Sequence, residues 1–180
     1  MRSTPGVTSR GALRVINVLG PSAVLGFVAG LVWSWVAEPA TWTVSDGSVV
    51  MTEFSSRDEF GVLLWYCAIG LVLSTVAGAI GAYVLRADWR DVVLLTLGAA
   101  IASLVAWQTG VLVGPPDPAS VTGLQDGDVV AEQLAVTSPV GFLSWPVGAL
   151  LGVLIGSAFE RDDHDLATDA TTAWVDEIRS

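Results

Sequence analysis

The sequence predicts an all-α integral membrane protein, a bundle of four transmembrane helices with small extracytoplasmic β-hairpins. Two observations carry this. Four stretches, Val15 to Val36, Gly61 to Leu85, Val92 to Val113 and Val140 to Phe159, contain no Asp, Glu, Lys, Arg or His. Each has about twenty residues or more, which at a rise of about 1.5 Å per residue matches a hydrocarbon core of roughly 30 Å. The second observation is composition: 52 % of residues are hydrophobic and only 14 % charged, against roughly a quarter charged in soluble domains. All 180 residues form one integral membrane domain, with loops 37–60 and 114–139 on one side and an acidic tail, 160–180, on the other.

The first segment follows Arg2, Arg10 and Arg14, as a signal peptide would. Its apolar run exceeds the roughly 7 to 15 residues of such a peptide, and Glu38-Pro39-Ala40 offers no small-residue cleavage site, so it is expected to remain as an anchor. The arginines set the orientation. With the amino terminus cytoplasmic, the inside segments hold Arg2, Arg10, Arg14, Arg86, Arg90, Arg161 and Arg179, and the outside loops hold only Arg57. Positively charged residues favour the cytoplasmic side, so both termini and a tight Arg86 to Asp91 loop are expected inside a cell membrane. Trp33, Trp35, Trp65, Trp107 and Trp145 fall near the outer helix ends and Trp89 near the inner one, as an aromatic belt would.

Small residues run down every helix at four-residue spacing: Ser22, Gly26, Gly30 and Ser34; Gly70, Ser74, Gly78 and Ala82; Gly98, Ala102, Ala106 and Gly110; Gly148, Gly152 and Gly156. Residues four apart share a helix face, and small side chains there let backbones approach closely. Packing within one chain is expected, and a homo-oligomer would use the same stripes. Gln108, an amide near the outer end of the third span, is expected to bond another helix or interfacial water. Cys67 has no second cysteine to pair with and reads as a small core residue.

Each outside loop carries an Asp-Gly pair, the two-residue hairpin signal, at Asp46-Gly47 and Asp126-Gly127. Residues 42–45 and 48–52 flank the first with β-branched and aromatic side chains, and 121–124 and 129–136 flank the second. A lone hairpin is marginal in water, so the two are expected to pair as one small sheet, with Val50 and Val130 toward the bundle and Met51 facing Ala131. An offset of 80 residues superposes Asp46-Gly47-Ser48-Val49-Val50 on Asp126-Gly127-Asp128-Val129-Val130, and Gly61, Leu63 and Trp65 on Gly141, Leu143 and Trp145. The chain therefore reads as a tandem repeat of two helix hairpins, with convergence of turn and interface residues as the competing reading.

The segment Leu124-Gln125-Asp126-Gly127-Asp128, followed by Leu134, Val136, Ser138, Gly141, Leu143 and Trp145-Pro146, resembles the second loop and fourth helix of an actinobacterial family of small four-helix membrane proteins of unknown function. Asp46-Gly47 and the Trp33 to Trp35 exit are similar to it too, and the resemblance covers roughly residues 20–155. It implies location and fold, and no activity.

Chemistry is sparse. Asp126, Asp128 and Glu132 lack the ligand density of a calcium loop, and the 162–165 cluster, Asp162, Asp163, His164 and Asp165, reads as solvated charge. No phosphate loop, nucleophile elbow or zinc spacing occurs, so neither an enzyme nor a cofactor is expected. Without a basic patch, no nucleic-acid partner is expected. Two classes remain: a noncatalytic scaffold or regulator of a cell-envelope complex, with Asp46, Gly47, Asp126, Gly127 and Asp128 on its contact surface, or a small transporter or channel subunit. The partners expected are the bilayer and either an envelope membrane protein or further copies of the chain.

Overall fold

A computed structural model describes residues 7–39, 41–45, 48–50, 55–85, 88–117, 128–136 and 138–179, with side chains within 11–41, 60–85, 88–117, 128–136 and 138–159. Four helices and three strands follow in the order α1 (Val7–Val36), β1 (Thr41–Ser45), β2 (Ser48–Val50), α2 (Ser55–Leu85), α3 (Trp89–Val113), β3 (Val129–Ala131) and α4 (Pro139–Arg179). The segments Gly11–Val36, Phe60–Leu85, Trp89–Val113 and Pro139–Phe159 are long and apolar enough to cross a membrane. Past Phe159 the backbone of α4 continues as helix through the acidic tail to Arg179.

The helix α3 starts earlier than expected, and the expected loop loses its last three residues to it. Asp88 caps it: its Oδ1 accepts the Trp89 N–H at 2.8 Å, while the Asp88 N–H donates to Asp91 Oδ2 at 3.3 Å. This reciprocal capping box satisfies donors that a helix start leaves open. Asp91 is therefore a first-turn helical residue, where a carboxylate also favours the positive end of the helix dipole.

The helices pack chiefly as two parallel pairs, α1 with α3 and α2 with α4. Along the first pair Gly26 lies against the Ala102 backbone, Gly30 against Ala106 and Thr109, Gly98 against Ser22, and Gly110 against the Trp33 ring. Along the second, Gly78 lies against Ala149, Gly148 against Ser74 and Leu71, Gly152 against Thr75 and Ala79, and Gly156 against Ala79 and Ala82. At Gly26, Gly78 and Gly152 a methyl group would overlap a carbonyl oxygen of the neighbouring helix. Along these stripes small residues face inward and large ones outward: alanines 29, 82, 99, 102, 106 and 149 are buried, and Val24, Val72, Leu104 and Leu154 are exposed. That surface suits lipid, which offers no hydrophobic penalty for exposed side chains.

Three strands form one sheet in the order β2-β1-β3, all antiparallel to their neighbours. Thr43 is paired on one edge with Val50 and on the other with Val129. Ala131 faces Thr41, so the strand beside β3 is β1 rather than the one leading to Met51. Below the sheet, Leu134 is 1 % exposed and packs on Gly114 at the end of α3, plugging the second loop into the bundle.

Candidate functional site

The bundle has two differently built ends, one carrying the sheet and one carrying the chain termini. At the sheet end, four helices meet around Tyr66. Its hydroxyl donates to the Ser103 carbonyl oxygen at 2.6 Å, joining α2 to α3, and Trp33 Nε1 donates to the Val62 carbonyl at 3.0 Å, joining α1 to α2. Ring centroids of Trp33, Trp145 and Phe142 lie 5.1, 5.8 and 6.0 Å from that of Tyr66, and Phe142 stands edge-on to Trp107 at 5.7 Å. Edge-to-face and tilted aromatic contacts at such distances are favourable.

This cluster corrects the aromatic-belt expectation for two residues. Trp33 and Trp145 are each only 1 % exposed, whereas Trp35 is 90 % exposed and Trp65 and Trp89 face outward. Glycine decides the inward placement: Gly110 leaves the space the Trp33 ring occupies, and Gly70 does so for Trp145. Trp65 and Trp145, equivalent at the 80-residue offset, therefore occupy different environments. Trp145 Nε1 is buried without a hydrogen-bond partner among the described residues, and the residue lines a void of about 30 Å³ together with Ser22 and Ser74. Gln108 is exposed and forms no hydrogen bond to another helix among the described residues, which leaves its amide open to interfacial water, the other partner expected for it.

At the terminal end an ion pair joins α1 to α3. Arg14 Nη2 lies 2.8 Å from Asp91 Oδ2, with the arginine side chain half exposed and the aspartate 2 % exposed. Neither residue was singled out as a site by sequence reasoning. The available signal was the acidic spacing of Asp88 and Asp91 immediately before an apolar run, a helix-start signature that places Asp91 on the bundle rather than in a loop.

Beside this pair, α1 and α2 diverge. A cavity of about 470 Å³ runs between them over Leu95 of α3, from Arg14 and Asn17 at its mouth to Leu25 and Ala77 at its deep end. Its wall is apolar apart from Arg14, Asn17 and Ser22. The volume falls within the range of about 300–1,000 Å³ typical of small-molecule sites.

Of the contact residues expected from sequence, Asp46, Gly47, Asp126 and Gly127 lie outside the described residues. Asp128 is exposed immediately before β3. Among the described residues no cluster of three metal-ligating side chains occurs. Cys67 is half-buried in α2 as a free thiol. No protein-family model, curated protein or solved structure matches this chain.

Proposed function

We propose that this protein is a noncatalytic scaffold or regulator of a cell-envelope complex, lying in the cell membrane with both termini cytoplasmic and the sheet outside. The observation that carries this reading is the joining of the two loops in one sheet, with Thr43 bridging Val50 and Val129. Two loops that merely connected helices would need no shared strand pairing; a shared sheet presents a shaped surface. On this reading exposed Asp128 and Val129 lie on the contact face, and the Asp46-Gly47 pair between β1 and β2 has the residue types that a two-residue hairpin turn favours. The arginine bias supports the orientation, and the resemblance to actinobacterial four-helix proteins adds location and fold.

A small transporter or channel subunit is the second reading, favoured by one observation. The pairing of α1 with α3 and α2 with α4 is what a tandem repeat of two helix hairpins would produce. Gly26 opposite Ala102 and Gly30 opposite Ala106 set a register one helical turn short of the 80-residue offset of the loops. The repeat reading therefore needs a shift between helices and loops. Against transport weigh the central void of about 30 Å³, room for little more than water, and the absence of ionisable residues from the middle of every span.

A photo-crosslinking residue at Val129, exposed on β3, tests the choice. Scaffolding predicts a crosslink to one envelope membrane protein from this position and none from lipid-facing Val72. Solute or ion flux through liposomes containing only the purified chain would overturn it in favour of transport.

A further inference from the structure

We infer that the cavity between α1 and α2 holds an acyl chain of an anionic phospholipid, with the headgroup at Arg14. The site is independent of the scaffold reading, because it requires only that the four helices lie in a bilayer.

Depth is the first support. On α1 the lining runs from Arg14 to Leu25 and on α2 from Leu85 to Ala77, spans of about 16 Å and about 12 Å at helical rise. Half of a hydrocarbon core of roughly 30 Å is one leaflet. The cavity thus starts at the membrane boundary on the side of the termini and stops near the midplane, where an acyl chain of that leaflet also stops. Ile80 and Val84 on its α2 wall are 59 and 70 % exposed, so the groove is open sideways and a chain can enter from the bilayer without crossing a polar surface.

Charge at the mouth is the second support. A guanidinium has five N–H donors in a planar fork suited to phosphate. Among the described residues Asp91, itself 2 % exposed, takes one of its nitrogens at 2.8 Å, while half of the Arg14 side chain stays exposed. The buried carboxylate therefore acts as a backstop that fixes the guanidinium at the rim. Asn17, three residues on and also at the mouth, supplies a further amide donor for a phosphate or glycerol oxygen. The sequence adds Arg10 one helical turn before Arg14. A zwitterionic lipid would bring a cation to this mouth as well as a phosphate, and an anionic one would not. On the proposed orientation the lipid belongs to the cytoplasmic leaflet.

The full-length protein, reconstituted in nanodiscs of equal parts phosphatidylglycerol and phosphatidylcholine, is released into the gas phase and its retained lipids are weighed by native mass spectrometry. Wild type is expected to retain phosphatidylglycerol several-fold over phosphatidylcholine. Ala77→Leu fills the deep end from an exposed position and is expected to abolish retention with an unchanged melting temperature. Arg14→Lys should keep the preference and Arg14→Gln should erase it; if Arg14→Gln does not fold, Arg14→Lys and Ala77→Leu still decide. Equal retention of the two lipids by wild type, or retention unchanged in Ala77→Leu, would overturn the inference. So would a dimer that Ala77→Leu dissociates, since the occupant would then be a second copy of the chain.

Discussion

The sheet end and the terminal end of the bundle are built from the same four helices and held by opposite means. Around Tyr66 the helices are tied to one another by large rings and by hydrogen bonds to backbone carbonyls, and Leu134 seals them from above. At the terminal end α2 and α4 stay in backbone contact through Gly156, but α1 and α2 separate, and α1 is kept on α3 by Arg14 and Asp91. The difference shows how a membrane bundle chooses where to be rigid. Dispersion between small residues is available anywhere along a stripe, whereas a tie that crosses between the two helix pairs needs a bulky or polar side chain; the sheet end has Trp33, Tyr66 and Trp145 for this, and the terminal end has Leu95 of α3 on Gly81 of α2.

An all-or-none experiment tests the top of this comparison. In a Cys67→Ser background, Thr41→Cys with Ala131→Cys is expected to form an intrachain disulfide, because directly paired antiparallel residues lie about 4.5–5.5 Å apart at Cα. Ser48→Cys with Ala131→Cys should form none, since β2 and β3 are separated by β1 and lie roughly 10 Å apart. The reverse pattern in a gel-shift assay would break the sheet order.

The largest energetic effect is expected at the aromatic centre. Tyr66→Ala should cost about 3–5 kcal/mol, as removal of a large buried side chain does. Val84→Ala at the other end, 70 % exposed, should leave the melting temperature in detergent nearly unchanged. Equal losses at the two positions would erase the contrast.

Next comes Gly152→Leu, which must displace α4 from the backbone of α2 at Thr75 and Ala79 and should cost about 1–3 kcal/mol or more. Gly20→Ala, where a methyl group meets nothing within 4 Å, is the matched control and should be neutral or stabilising. An unchanged melt for Gly152→Leu would place that stripe against lipid.

The ion pair should show an asymmetry. Arg14→Ala leaves the buried Asp91 carboxylate with only the 3.3 Å bond from the Asp88 N–H and is expected to cost about 1–3 kcal/mol, the range for an under-satisfied buried polar group. Adding Asp91→Asn should recover part of that loss in a double-mutant cycle, and a fully additive cycle would show the pair to be uncoupled. The smallest effect belongs to Tyr66→Phe, which removes only the hydroxyl bond to Ser103 and should cost about 0.6 kcal/mol, the average for a membrane interhelical hydrogen bond.

Hydropathy made the four helices visible from sequence, because a span must be apolar whatever packs on it. The rest was harder for physical reasons. Trp33 and Trp35 have the same chemistry and lie two residues apart, yet one is buried and one faces out; the deciding residue, Gly110, is on another helix. Asp91 read as loop because charge marks a membrane boundary, and only the partnership with Asp88 and Arg14 moves it into the bundle. The cavity has no sequence signature at all, since it arises from where α1 and α2 fail to meet. The strand segments carried β-branched residues, but their lateral order depends on which loop reaches the edge of β1.

That order has a consequence for how the chain is made. The central strand β1 lies near residue 41 and its second neighbour, β3, near residue 129, so one edge of β1 has no partner until α2 and α3 have both been inserted. An unpaired strand edge is a template for other chains. A chain cut after α3 would leave this edge bare, open to pairing with a strand of another chain until β3 takes the place.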